Sequence, residues 1–136
     1  MPELPELRIL LVEDHVETLQ ALCLWLAARG YQVRSFCTIA AACRFARDNC
    51  FDILITDIGL PDGTGWELLQ KLRPLGNFRA VAITGLAGAR EHELSRIAGF
   101  SRLIEKPFDP AILHAFLGAI EVERRESAMQ SRRAAN

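Results

Sequence analysis

Short apolar runs alternate along this chain with segments in which apolar residues recur at helical spacing. Short continuous apolar runs are typical of strands that are buried on both faces, as in a parallel sheet. The second and fifth runs are less apolar than the others but have the same length scale. The predicted strands are Arg8–Val12, Gln32–Phe36, Ile53–Thr56, Ala80–Ile83 and Arg102–Ile104.

The segments between these runs predict helices, several of them with recognisable ends. Gly30 and Gly99 stand where the first and fourth helices stop, and Pro74 ends the third. Asp109 followed by Pro110 predicts the start of the last helix, with an N-cap acceptor and a proline in the first turn. The predicted helices are His15–Arg29, Thr38–Asn49, Trp66–Arg73, Ala89–Ala98, and one from Pro110 that fades near 123–126.

A strand followed by a helix, five times over, predicts a parallel sheet with helices on both faces, because crossover connections are right-handed. The 136 residues suit one domain, and half of them are hydrophobic. In such folds ligands bind beyond the carboxyl ends of the strands. Candidate functional residues are therefore expected at the carboxyl ends of the predicted strands.

Charge and cysteine content exclude several classes of function. Sixteen basic and seventeen acidic residues give a net charge of −1, which argues against direct nucleic-acid binding. The arginines near the end of the chain are interrupted by glutamates and indicate a solvated end. The four cysteines form no CxxC pair, which argues against a zinc site. No apolar run has the length of a membrane span. With no signal peptide at the N-terminus, we expect a cytoplasmic protein.

Polar residues that suit one kind of chemistry follow the strands. Glu13 and Asp14 come after the first strand, Asp57 after the third, Thr84 after the fourth, and Lys106 after the fifth. Each has an ordinary alternative: an acid that caps a turn or helix, a hydroxyl within a strand, or a solvated charge. Their occurrence together, at the ends of four strands, predicts a single site instead.

Converging carboxylates repel one another unless a cation lies between them, and Mg²⁺ prefers a few carboxylate oxygens together with water and phosphate oxygens. Asp57 is then a candidate carboxylate nucleophile that forms an acyl phosphate. Lys106 and Thr84 offer an ammonium and a hydroxyl to the phosphoryl oxygens. Phosphoryl transfer depends mainly on such positioning and charge stabilisation.

These residues stand in motifs that resemble the receiver domain of response regulators. The motifs are RILLVED around Glu13 and Asp14, DILITDIGLPDGTGWELL around Asp57, AVAITG around Thr84, and LIEKPFDP around Lys106. The resemblance covers residues 8–120 and implies a flavodoxin-like (βα)5 three-layer α/β sandwich with a five-stranded parallel sheet. We expect a receiver domain at 8–122, an N-terminal extension at 1–7, and a polar, mobile C-terminal tail at 123–136.

The resemblance also implies a function in two-component, or phosphorelay, signal transduction. Asp57 accepts a phosphoryl group from the phosphohistidine of a histidine kinase or histidine phosphotransfer protein. Mg²⁺ or Mn²⁺ is held by Glu13, Asp14, Asp57 and the backbone carbonyl of Gly59. No separate substrate turnover is expected, only metal-dependent self-phosphorylation and autodephosphorylation.

Phosphorylation is expected to switch a protein-binding face formed by the fourth helix, the fifth strand and the fifth helix. His92, Arg96 and Arg102 lie on this face, and a downstream protein is its expected partner. Contact with nucleic acid or a membrane is not expected.

The chain departs from the commonest family pattern at the acidic pair, which is Glu–Asp rather than Asp–Asp. It departs again at Leu103, where many members have an aromatic switch residue. Leu103 motivates an alternative, a pseudo-receiver that binds proteins without phosphorylation. A hydrolase of the haloacid-dehalogenase kind is disfavoured, because its second aspartate is replaced by Gly59. The GLPDGTGWELL motif resembles hybrid sensor kinases and small stand-alone regulators, and the Met1 start favours the latter.

Overall fold

The computed structural model describes residues 4–85 and 87–135. Residues 1–3 of the predicted N-terminal extension and residue 136 of the predicted tail lie outside this range. The chain divides into a larger unit, Glu6–Lys106, and a smaller one made of Met1–Pro5 and Pro107–Asn136.

The larger unit is built on a parallel sheet of five strands in the order β2-β1-β3-β4-β5. All five predicted strands are confirmed, and the last three extend by one or two residues beyond their predicted bounds. The strands are β1 (Arg8–Val12), β2 (Gln32–Phe36), β3 (Ile53–Asp57), β4 (Arg79–Thr84) and β5 (Arg102–Glu105).

Four helices of the larger unit alternate with these strands, as the sequence predicts. The side chain of Thr38 caps the second helix, and Gly99, with a φ of 107°, ends the fourth in the left-handed conformation that glycine favours. The third helix passes into a 3₁₀ turn, Arg73–Leu75, that contains Pro74. The helices are α1 (Val16–Ala28), α2 (Ile39–Asp48), α3 (Gly65–Leu72) and α4 (Ala89–Ala98).

Both faces of the sheet are buried, which explains the continuous apolar runs of its strands. Alternate residues of a strand point to opposite faces. Leu10, Leu54 and Ala82 belong to one core cluster, to which α2 contributes Ala42 and α3 contributes Leu69. The intervening strand residues are also almost fully buried: Ile9, Leu11, Ile53, Ile55, Val81 and Ile83.

A short β-hairpin joins β3 to α3. Gly59–Leu60 pairs with Gly63–Thr64 in antiparallel register, and Thr64 caps α3 by accepting a hydrogen bond from the Glu67 amide at 3.1 Å. The hairpin is closed at its base by the amide of Gly65, which donates to the carbonyl of Ile58 at 2.7 Å. This hairpin directly follows Asp57 and therefore lies at the carboxyl edge of the sheet.

The smaller unit contains α5 (Pro110–Ala135), whose first turn is capped by Asp109 through the Ala111 amide at 2.9 Å. The predicted helix start is confirmed, but the predicted fading near 123–126 is wrong. Residues 121–135 contain good helix formers and no glycine or proline, so the helix continues. Arg124 donates a hydrogen bond to the carbonyl of Pro5 within the same unit.

The five-stranded parallel sheet with five helices confirms the predicted α/β, flavodoxin-like fold class. The strand order reverses between β1 and β3, and ligands in such sheets bind at the carboxyl ends of strands that flank a reversal. Among the described residues, no helix is both long and apolar enough to cross a membrane.

A substitution at Gly65 tests how closely α3 packs against β3. A Cβ atom at this position would lie 2.5 Å from the backbone oxygen of Asp57. Alanine usually favours a helix over glycine, yet we expect Gly65→Ala to lower the free energy of unfolding by about 1–3 kcal/mol, because backbone must move. Denaturant titration measures the change.

Gly76→Ala is the matched control, because nothing lies within 4 Å of its Cβ position. We expect its free energy of unfolding to stay within about 0.5 kcal/mol of the wild type. A Gly65→Ala protein as stable as the Gly76→Ala protein contradicts the close approach.

Candidate functional site

Three carboxylates meet at the carboxyl edge of the sheet, where the sequence predicts a site. Glu13 and Asp14 follow β1, Asp57 ends β3, and these two strands are parallel neighbours. Oxygen atoms of the three side chains lie within 4.8 Å of one another. Glu13 is buried, Asp57 is half-buried and Asp14 is exposed, so the cluster opens toward solvent on the side of Asp14.

Lys106 joins two of these carboxylates. Its Nζ lies 2.6 Å from Glu13 Oε1 and 2.9 Å from Asp57 Oδ2. Its backbone amide donates to the carbonyl of Thr84 at 2.7 Å, which holds the residue after β5 against the end of β4. One ammonium group thereby connects Lys106 to Glu13, which is 93 positions away in sequence, and to Asp57, which is 49 positions away.

The local electrostatics follow from burial and crowding. Burial raises the pKa of Glu13 to about 7, the nearby Asp57 carboxylate adds to this effect, and Lys106 opposes it. Burial by itself lowers the pKa of Lys106, but its hydrogen bonds to Glu13 and Asp57 outweigh this and leave that pKa raised. The site therefore favours the charged ammonium and disfavours additional negative charge.

Thr84 and Gly59 complete the predicted set. Thr84 is the last residue of β4 and is buried, and its neighbour Ile83 pairs in register with Asp57. The amide of Gly59 donates to Asp57 Oδ1 at 3.3 Å, so the hairpin starts directly beside this carboxylate. All the predicted site residues belong to the larger unit and lie at one edge of its sheet.

The donor set suits a hard divalent cation. The carboxylate oxygens of the cluster lie within 4.8 Å of one another, and the neighbouring Gly59 is exposed to solvent. Mg²⁺ accepts such a set of oxygens when it keeps part of its water shell. Burial, together with the nearby Asp57 carboxylate, raises the pKa of Glu13, so its charge is costly there and a cation would offset this cost. The residues therefore fit the predicted Mg²⁺ or Mn²⁺.

A groove of about 650 Å³ lies beside α4 and β5. Three residues predicted for the switching face, His92, Arg96 and Arg102, line it together with Leu103. Leu103 is half-buried and packs against the core cluster. The indole of Trp66 on α3 donates to the hydroxyl of Ser95 on α4 at 2.9 Å, a bond that the apolar pattern did not indicate.

Comparison with known proteins agrees with this geometry. Residues 9–117 match the family model of the response regulator receiver domain, and the chain belongs to this family. Receiver domains act in two-component signal transduction, where they interact with histidine kinases or phosphotransfer proteins and generally bind Mg²⁺ at an acidic pocket.

Individual relatives show the same relationship. The transcriptional regulatory protein KdpE of Mycobacterium tuberculosis is 32% identical over 100 residues, which are 74% of this chain and 44% of that regulator. A CheY-like receiver domain protein of Methanospirillum hungatei has a TM-score of 0.80 and 30% identity, covering 90% of this chain and 98% of its own. This chain thus spans less than half the length of KdpE.

A third similar structure is a response regulator protein from Burkholderia pseudomallei with a phosphorylated aspartic acid, a calcium ion and citrate. It has a TM-score of 0.76 and 25% identity, and the match covers 90% of this chain and 74% of that one.

Lys106→Met tests the ammonium's contribution to the metal-free fold. Glu13 then stays buried beside Asp57 without a cationic partner, and we expect the free energy of unfolding at pH 7 to fall by about 1–3 kcal/mol. Urea denaturation in the presence of a chelator measures it.

Arg96→Met is the control, because Arg96 and Glu93 form an exposed ion pair on α4. Exposed pairs contribute little, so we expect a change of less than about 1 kcal/mol. Equal stability of the Lys106→Met and wild-type proteins contradicts a stabilising role for the two bonds.

Proposed function

We propose that this chain is a phosphoacceptor receiver domain in which Asp57 takes a phosphoryl group from a phosphohistidine. A histidine kinase or a histidine phosphotransfer protein is the donor. The observation that supports this proposal most strongly is the convergence of three carboxylates and the Lys106 ammonium at the carboxyl edge of the sheet. A cytoplasmic location and the lack of contact with nucleic acid stay predictions.

In the proposed transfer, a carboxylate oxygen of Asp57 attacks the phosphorus atom. A phosphorus–oxygen bond forms as the bond to the donor imidazole breaks, and the electron pair leaves with the imidazole nitrogen. Lys106 lies 2.9 Å from Asp57 Oδ2, so its ammonium is close to the place where the phosphoryl oxygens arrive. Water later attacks the phosphorus atom, the bond from phosphorus to the Asp57 oxygen breaks, and inorganic phosphate leaves as the carboxylate is restored.

Charge stabilisation comes from several groups around this carboxylate. Glu13, Asp14, Asp57 and the backbone carbonyl of Gly59 would hold Mg²⁺ or Mn²⁺, which would supply positive charge to offset that of the phosphoryl oxygens. Thr84 provides a hydroxyl from the end of the neighbouring strand. The similar regulator from Burkholderia pseudomallei has a phosphorylated aspartic acid and a calcium ion, which supports a phosphorylated aspartate and a divalent cation in this chain.

Asp57→Asn tests the proposed acceptor. With acetyl phosphate and Mg²⁺, we expect the wild-type protein to gain the mass of one phosphoryl group and the Asp57→Asn protein to gain none, because an amide is not a nucleophile of this kind. Intact mass spectrometry measures the gain, and a chelator is expected to prevent it.

Asp48→Asn is the matched control, since Asp48 is an exposed residue at the end of α2. We expect it to be phosphorylated like the wild type. Phosphorylation of a folded Asp57→Asn protein overturns the assignment. A folded wild-type protein that takes up no phosphoryl group supports the pseudo-receiver alternative.

We propose further that phosphorylation switches the surface of α4 and β5. The phosphoryl group adds about 1.5 to 2 negative charges, and the Thr84 hydroxyl and the Lys106 ammonium are the groups that respond to it. Thr84 precedes the loop to α4, and Lys106 follows β5, so a shift of either residue reaches the groove beside these elements. A downstream protein is the proposed partner of this surface.

Backbone amide shifts test the switch. On phosphorylation we expect His92, Arg96 and Arg102 to shift more than Arg44 and Arg47 of α2, which neither Thr84 nor Lys106 adjoins along the chain. The NMR spectrum with and without acetyl phosphate measures this difference. Unchanged signals along α4 and β5 in a fully phosphorylated protein contradict the proposal.

A further inference from the structure

We infer that Asp62 is a positioning residue for the metal-binding edge of the site, because it ties the tip of the hairpin after Asp57 to the N-terminus of α2. The inference rests on the proposed function, since the hairpin begins with the proposed metal ligand Gly59. Asp62 Oδ1 accepts from the amide of Ile39 at 2.9 Å, and Oδ2 accepts from the amide of Ala40 at 3.0 Å.

The contact is a two-point attachment between distant segments. Asp62 lies 23 and 22 positions from its two donors and uses both carboxylate oxygens. These backbone hydrogen bonds hold the pKa of Asp62 below its ordinary value, so the bonded form is the charged carboxylate. A negative charge at the positive end of a helix adds to the attraction.

The hairpin needs an attachment of this kind. Its two strands contribute only the pairs Gly59–Thr64 and Leu60–Gly63, and a two-stranded hairpin is marginal by itself in water. The base is held by the Gly65 amide, which donates to Ile58. Leu60 of the hairpin packs against the core cluster, and at the tip the Asp62 carboxylate adds two hydrogen bonds to α2.

A displacement of the tip reaches the site in a few residues. Gly59 is both the start of the hairpin and a donor to Asp57 Oδ1 at 3.3 Å. A hairpin that rocks about its base therefore moves the amide of Gly59 relative to the phosphoacceptor and moves its carbonyl relative to the other proposed metal ligands. Groups that orient metal ligands commonly change metal affinity when they are removed.

Helix capping alone is the competing explanation, and the chain offers a matched control for it. Thr38 caps the same helix by accepting from the Ala41 amide at 3.1 Å, but it lies outside the hairpin. Asp62→Ala and Thr38→Ala each remove capping bonds from α2, which lowers stability in both proteins. Asp62→Ala is the variant of this pair that also releases the hairpin.

The test is a titration of the full chain with MgCl₂. The NMR chemical shifts of the backbone amides of residues 57–65 report the binding. We expect the Mg²⁺ dissociation constant to rise about tenfold in Asp62→Ala and to change by less than about twofold in Thr38→Ala. Asp62→Asn keeps one carbonyl oxygen for one of the two amides, so we expect an intermediate constant. Far-UV circular dichroism establishes that each variant is folded.

A second measurement uses the metal-free proteins and does not depend on activity. We expect the Gly65 amide, which closes the base of the hairpin, to exchange its hydrogen faster in Asp62→Ala than in Thr38→Ala. Equal Mg²⁺ constants and equal exchange rates in these two variants overturn the inference and leave Asp62 as a helix cap. A folded wild-type protein that binds no Mg²⁺ instead overturns the proposed function.

Discussion

The balance between three crowded carboxylates and one ammonium is the interaction on which the carboxyl edge of this sheet depends. Glu13 is almost fully buried, and its pKa of about 7 shows that its charge is costly there. Lys106 offsets this cost by bonding to both Glu13 and Asp57. The same arrangement offers oxygen atoms that fit a divalent cation and, in the proposed transfer, a positive charge near the phosphoryl group, so stability and the proposed chemistry depend on the same atoms.

The parallel sheet makes this arrangement possible. Parallel strands bring the ends of β1, β3 and β4 to one edge, although the residues there come from distant parts of the sequence. Strands buried on both faces form a rigid support, and the site residues stand just beyond it. The close approach of Gly65 to the backbone of Asp57 extends that support into α3, because no side chain fits between them.

Contacts outside the acidic cluster also join the elements of this receiver domain. Leu103 packs against the core instead of presenting an aromatic ring, and the Trp66 indole joins α3 to α4 through Ser95. Asp62 joins the hairpin to α2. The hairpin that follows Asp57 is thereby attached to α2, while α3, which starts at the end of this hairpin, is attached to α4.

The sequence by itself determined the strands, most helix ends and which polar residues meet at the carboxyl edge of the sheet. Apolar runs, caps such as Thr38 and stops such as Gly99 act within a few residues, and the rule that parallel strands end at one edge extended them to Asp57 and Lys106. The predicted end of α5 was wrong. The charged residues of its last turns are typical of a solvated tail, but they also favour a helix, and the helix continues to Ala135. Only the tertiary structure decided that Lys106 bonds to two acids, that Gly65 touches Asp57 and that Asp62 reaches α2. The contacts of Lys106 and Asp62 join residues far apart in sequence, and all three contacts depend on how whole elements pack, which no local pattern of residues contains.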